Sequence, residues 1–69
     1  MARDFSKKLR TKAAAKYIGS TPATLEYWRW MDKGPVYLKM GGAVWYLESD
    51  LDEFMESCRH IPAEMAEAK

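Results

Sequence analysis

Several things are scarce in this chain, and each shortage closes off a class of explanation. One cysteine, Cys58, among 69 residues cannot form a disulfide within the chain. The fold must therefore be held by packing, and the expected compartment is the cytoplasm. One histidine, His60, gives no ligand spacing for a metal, and the carboxylates are scattered rather than paired. No metal, no cofactor and no enzymatic activity are expected. No apolar run approaches the roughly 20 residues of a membrane-spanning helix, and the amino terminus lacks a signal-peptide pattern. A membrane partner is not expected either. Glycine and proline are few, four and three residues, and nearly all of them fall where elements should begin or end.

What the chain does have is aromatic bulk and an uneven distribution of charge. Three Trp, four Tyr and two Phe supply large buried area to a domain near the lower size limit for a self-sufficient core. The net charge of +1 hides two halves of opposite sign. Residues 1–40 carry nine Lys/Arg against Asp4, Glu26 and Asp32, a balance of +6; residues 41–69 carry Arg59 and Lys69 against seven carboxylates, a balance of −5. Such polarity suits a protein that turns one side toward a polyanion, although two solvated faces of unlike sign would read the same way.

In chain order, residues 1–8 read as a basic arm, 9–59 as a domain and 60–69 as an alanine- and glutamate-rich tail in which Pro62 could open one more helical turn. Thr11 is placed to cap a helix over 12–18, with Ala14 and Ile18 as an i, i+4 apolar pair and Gly19 as the left-handed residue that ends it. Ser20 completes a tight turn. Thr21 then caps a second helix whose first residue is Pro22. Leu25 and Trp28 form its core face, with Met31 near the edge. Ala23, Glu26, Tyr27 and Trp30 recur at helical spacing on another face. Gly34-Pro35 should stop this helix. Val36–Met40 alternates as a strand with Val36, Leu38 and Met40 inward, Gly41-Gly42 makes a hairpin turn, and Ala43–Leu47 returns with Val44 and Tyr46 inward and Ala43 and Trp45 outward. Ser49 should cap a third helix with Asp50 and Asp52 in its first turn and an apolar stripe of Leu51, Phe54, Met55 and Cys58.

Helix, turn, helix, hairpin, helix is an α+β, mainly α order: a small winged helix-turn-helix, with a two-stranded wing and the third helix closing the core. The run from Leu9 to Leu25, Arg10-Thr11-Lys12-Ala13-Ala14-Ala15 and Gly19-Ser20-Thr21-Pro22 included, resembles the excisionase/AlpA-like winged-helix family. So does Gly34-Pro35-Val36-Tyr37-Leu38-Lys39-Met40-Gly41-Gly42, followed by Val44, Tyr46 and Ser49-Asp50-Leu51. The resemblance spans residues 9–58. It implies a phage- or mobile-element protein that binds double-stranded DNA. Some relatives are excisionases, or recombination directionality factors, which bend attachment-site DNA and recruit integrase; others are transcriptional regulators. MerR-type domains share the architecture. Family members usually carry Arg or Lys at one or more of the positions of Glu26, Tyr27 and Trp30, and often Arg at those of Ala43 and Trp45. This chain departs from that pattern at all five.

The candidate DNA-binding residues follow from that frame. On the recognition helix they are Thr21, Ala23, Thr24, Glu26, Tyr27, Arg29 and Trp30. Thr24 suits a phosphate, Ala23 and Tyr27 suit thymine methyls, and Glu26 could accept from a cytosine amino group. On the wing they are Lys39, Gly41, Gly42, Ala43 and Trp45. Arg10, Lys12 and Lys16 join Arg29 and Lys39 as phosphate candidates, each taken singly more readily read as a solvated side chain. Tyr27 and Trp30 fit either partial burial or a functional surface. Because Glu26, Tyr27, Trp30, Ala43 and Trp45 also resemble the centre of a protein interface, a protein-interaction module or self-association through these aromatics is a reading from another class.

Overall fold

Twice in this chain a β-strand runs without a loop into an α-helix, and those two junctions set the layout. The computed structural model describes residues 4–60 and Pro62. In order the elements are β1 (Lys8–Arg10), α1 (Thr11–Ile18), α2 (Pro22–Trp30), β2 (Leu38–Met40), β3 (Ala43–Leu47) and α3 (Glu48–Ser57). The strands form one antiparallel sheet in the order β1-β3-β2, so the class is α+β and mainly helical. Because β1 and β3 feed straight into helices, the cap positions of α1 and α3 fall on Arg10 and Leu47, the last residue of each strand, and neither supplies a side-chain cap. The expected caps are therefore corrected. Thr11 and Ser49 lie inside α1 and α3. Asp52 likewise falls beyond the first turn of α3, which holds Glu48 and Asp50, and instead accepts a hydrogen bond from the Tyr17 hydroxyl at 2.8 Å, tying α3 to α1. That bond, then desolvation and the nearby carboxylates, raises the Tyr17 phenol above its ordinary range near ~10. The phenol therefore keeps its proton, and with it the donor of this tie, through neutral pH.

The domain opens on a strand that was not expected: β1 takes Lys8 from the end of the expected arm and pairs Lys8 with Leu47, Leu9 with Tyr46 and Arg10 with Trp45. The Glu48 amide extends the junction by donating to the Lys7 carbonyl at 3.0 Å. Of the tail, His60 and Pro62 have no regular structure, and the remaining residues lie outside those described.

The start of α2 is as expected: Thr21 Oγ1 accepts from the Thr24 amide at 3.2 Å, and Pro22 opens the helix. Gly19 ends α1 with φ 77°, its amide and that of Ser20 closing onto the Lys16 and Ala15 carbonyls. The same closure ends α2 at Trp30, ahead of the expected Gly34-Pro35 stop. Asp32, not Gly34, takes the left-handed conformation there (φ 59°), donating to the Arg29 carbonyl while Lys33 donates to that of Trp28. Asp tolerates this region better than most residues with a Cβ.

Gly34 serves a different purpose. Its φ is 94°, and a Cβ placed there would lie 2.9 Å from the Trp28 Cβ. Backbone and side chain thus need glycine for separate reasons, conformation and the close approach of an indole. Gly34→Ala is expected to lower stability by about 1–3 kcal/mol, read as a shift in the urea midpoint; an unchanged midpoint would show that the α2–β2 connection is free to reshape.

The core lies where α1, α2 and α3 meet one face of the sheet. Ala14, Ala15, Leu25, Tyr46 and Leu51 are buried, and Leu9, Ile18, Trp28 and Val44 pack against them. Trp28 is half-buried rather than enclosed and packs its ring on Phe54 at 5.4 Å. Of the remaining expected stripe on α3, Leu51 is buried while Met55 and Cys58 are exposed. Val44 and Tyr46 point inward as expected, but the partner strand is turned over. Met40 pairs with Ala43 and Leu38 with Trp45, so Leu38 and Met40 share the outer face and Lys39 shares the face of Val44. Val36 precedes the strand and is 64% exposed. Parity is the reason: a two-residue Gly41-Gly42 turn joins Met40 to Ala43, and paired residues project from the same side of a sheet.

Candidate functional site

A shallow groove of about 510 Å³ lies where β1, α1, α2 and the β2–β3 turn converge. Arg10 closes one end of the strand, Thr11 and Lys12 come from the first turn of α1, and Pro22, Glu26 and Arg29 line the α2 side. Gly42 and Val44 complete it from the turn and β3. The chain folds this way locally because the Gly19-Ser20 turn is short enough to bring α2 back beside the start of α1, and the Gly41-Gly42 turn projects from the sheet edge next to them. No residue of the acidic helix α3 lines the groove.

Of the residues singled out from sequence, the groove brings together Arg10, Lys12, Glu26, Arg29 and Gly42. Arg10, Lys12 and Glu26 are exposed there, whereas Arg29 is half-buried. Lys16, Ala23, Lys39 and Gly41 are exposed outside it. Thr21 and Thr24 are occupied with each other, hydroxyl to hydroxyl at 2.9 Å, at the start of α2. Tyr27 and Trp30 are settled as surface residues, 52% and 81% exposed. Ala43 and Trp45 share the outer sheet face and are only half-exposed.

Arg29 is the main correction among these. It does not reach outward as a free phosphate ligand. Its Nη1 donates to the Tyr46 hydroxyl at 2.6 Å and to Thr11 Oγ1 at 3.3 Å. The guanidinium also lies 5.8 Å from the Tyr37 ring centre and 5.9 Å from that of Tyr46. Tyr46 is fully buried, and a buried phenol seeks a polar partner. Arg29 supplies that partner and so locks α2 to α1 and β3. Sequence reasoning missed Thr11, Tyr37 and Tyr46 as members of this cluster; the only available signal was an inward-facing tyrosine that needed a donor.

The outward aromatics act as seats for cations. The Trp45 ring carries the Arg10 guanidinium at 5.0 Å and the Lys8 ammonium at 5.6 Å, and the Tyr27 ring carries the Lys33 ammonium at 5.7 Å. Each such contact contributes about 0.5–1 kcal/mol at an exposed site. The larger consequence is positional, since Trp45 holds Arg10 where it lines the groove. Lys8 and Lys33 were not singled out from sequence, and their roles follow only from where β1 and the α2 terminus place them.

Chemically the site is a strip of exposed positive charge beside a helix surface of methyl, phenol, indole and one carboxylate. Among the described residues, no group of three or more His, Cys, Asp or Glu is placed to hold a metal ion, and no helix is long and apolar enough to cross a membrane. No protein-family model, no curated protein and no solved structure matches the chain.

Proposed function

We propose that this chain is a cytoplasmic, sequence-specific double-stranded DNA-binding protein of winged helix-turn-helix architecture, acting as an excisionase that bends attachment-site DNA and assists integrase. The observation that carries the reading is the groove: Arg10 and Lys12 stand at its edge where α2 and the Gly41-Gly42 turn converge. A duplex seated there would meet α2 in its major groove and the turn on its backbone or minor groove, with the cations on phosphates. The resemblance of residues 9–58 to the excisionase/AlpA-like family supports the same reading. An AlpA-like transcriptional regulator is the alternative within this class. Excision of the element by integrase in the presence of the protein separates the two from repression of a neighbouring promoter.

The deciding experiment is a gel shift on the attachment-site DNA of its own element at rising salt. Binding at low salt that weakens linearly in log–log form is expected, and Arg10→Ala and Lys12→Ala should each flatten the slope by about one unit. No shift at low salt overturns the reading. A second reading, a protein-interaction module on the same scaffold, rests on Trp30 standing 81% exposed. It predicts a dimer in sedimentation that Trp30→Ala dissociates without changing DNA affinity.

A further inference from the structure

Resting on the DNA-binding reading above, we infer that Glu26 is the base-reading residue of α2 and that the base it selects is cytosine. Glu26 is exposed, lines the groove, and lies on the same side of α2 as Ala23, Tyr27 and Trp30. Among the described residues it forms no ion pair and no side-chain hydrogen bond, although Arg10, Lys12 and Arg29 line the same groove. Arg29 is committed to Tyr46 and Thr11, and Arg10 lies over Trp45. The carboxylate thus has no direct partner, although Arg10, Lys12 and Arg29 line the same groove.

A free carboxylate on a surface that faces a polyanion weakens binding to every sequence unless a donor awaits it in the duplex. The major groove offers two exocyclic amino donors, on cytosine N4 and adenine N6. Adenine N6 stands beside the N7 acceptor, whose lone pair opposes a carboxylate, whereas the pyrimidine edge of cytosine presents the amino group without an acceptor at that place. An acceptor-only side chain therefore favours cytosine. Arg10 and Lys12, on phosphates at the groove edge, offset the repulsion that the carboxylate meets on the way in.

The test selects bound duplexes from a random-sequence pool with the full-length chain, Glu26→Gln and Glu26→Ala, each checked for an unchanged melting temperature. The wild type is expected to enrich one invariant C·G pair, preferred about 5- to 100-fold over the other pairs at that position. Glu26→Gln, which can both donate and accept, should replace it with A·T. Glu26→Ala should lose the preference there while keeping the rest of the motif. An identical motif from all three proteins overturns the assignment of Glu26 and leaves DNA binding standing. Failure of the wild type to enrich any sequence at low salt overturns the DNA-binding reading and this inference together.

Discussion

Leu25→Ala is expected to destabilise the domain by about 2–5 kcal/mol, the range for truncating a buried leucine whose surroundings relax only partly. Leu25 has no exposed surface and lies at the centre of the cluster formed with Ala14, Ala15, Tyr46 and Leu51. It is the only residue of α2 that is fully buried, so it is the helix's main apolar anchor, beside Trp28 and the Arg29 hydrogen bonds. A domain of 69 residues has a total stability of roughly 3–10 kcal/mol at the usual 0.05–0.15 kcal/mol per residue. The substitution therefore removes between a fifth and all of it. Each 1 kcal/mol lowers the melting temperature by about 4–8 °C at this size, so a far-UV circular dichroism melt should fall by at least ~8 °C or show a chain unfolded at room temperature. A fall of less than ~4 °C would mean that α2 is not held on the core by Leu25.

The seating of α2 could be foreseen because its signals are local. Thr21 and Pro22 start the helix, Leu25 and Trp28 repeat on one face, and Gly19 closes the helix before it, all within twelve residues. Likewise Gly41-Gly42 marks its own turn. What was not legible depends on partners far away in sequence. Lys8-Leu9-Arg10 offers one apolar residue between two cations, and it becomes a strand only because Trp45, Tyr46 and Leu47 are there to pair with it. The caps at Thr11 and Ser49 were misplaced for the same reason, since strands that continue into helices leave no loop for a capping residue.

The facing of β2 is legible in the sequence. Val44 and Tyr46 inward, with a two-residue turn joining Met40 to Ala43, already requires Leu38 and Met40 to face outward. Hydrophobic alternation in β2 suggested the opposite, and turn geometry overrode it. For the site, residue types were readable and directions were not. The sequence marks Arg10 and Lys12 at the start of α1, and Glu26 and Arg29 along α2, as polar residues. Only the tertiary fold separates three exposed ones from an inward one.

Arg29 tests that separation directly. Arg29→Met keeps the length of the stem but removes the donor to Tyr46 and Thr11, leaving a buried phenol without its partner at 2.6 Å. A hydrogen bond to a charged group contributes about 1.5–3 kcal/mol, and orphaning a buried polar group costs about 1–3 kcal/mol. Because Arg29 is itself half-buried, a loss of about 2 kcal/mol is expected, measured by urea denaturation. Tyr46→Phe should lose a similar amount, and the double variant should lose less than the two single losses added, because both remove the same bond. The DNA measurement moves independently. Since Arg29 Nη1 is committed to Tyr46 and Thr11, Arg29→Met should leave the salt slope of binding unchanged under conditions where the variant is folded, while Lys12→Ala, at an exposed position of the same groove, flattens it by about one unit. The reverse pattern, full stability with a flattened slope for Arg29→Met, would return Arg29 to the phosphates and require the Tyr46 hydroxyl to find another donor.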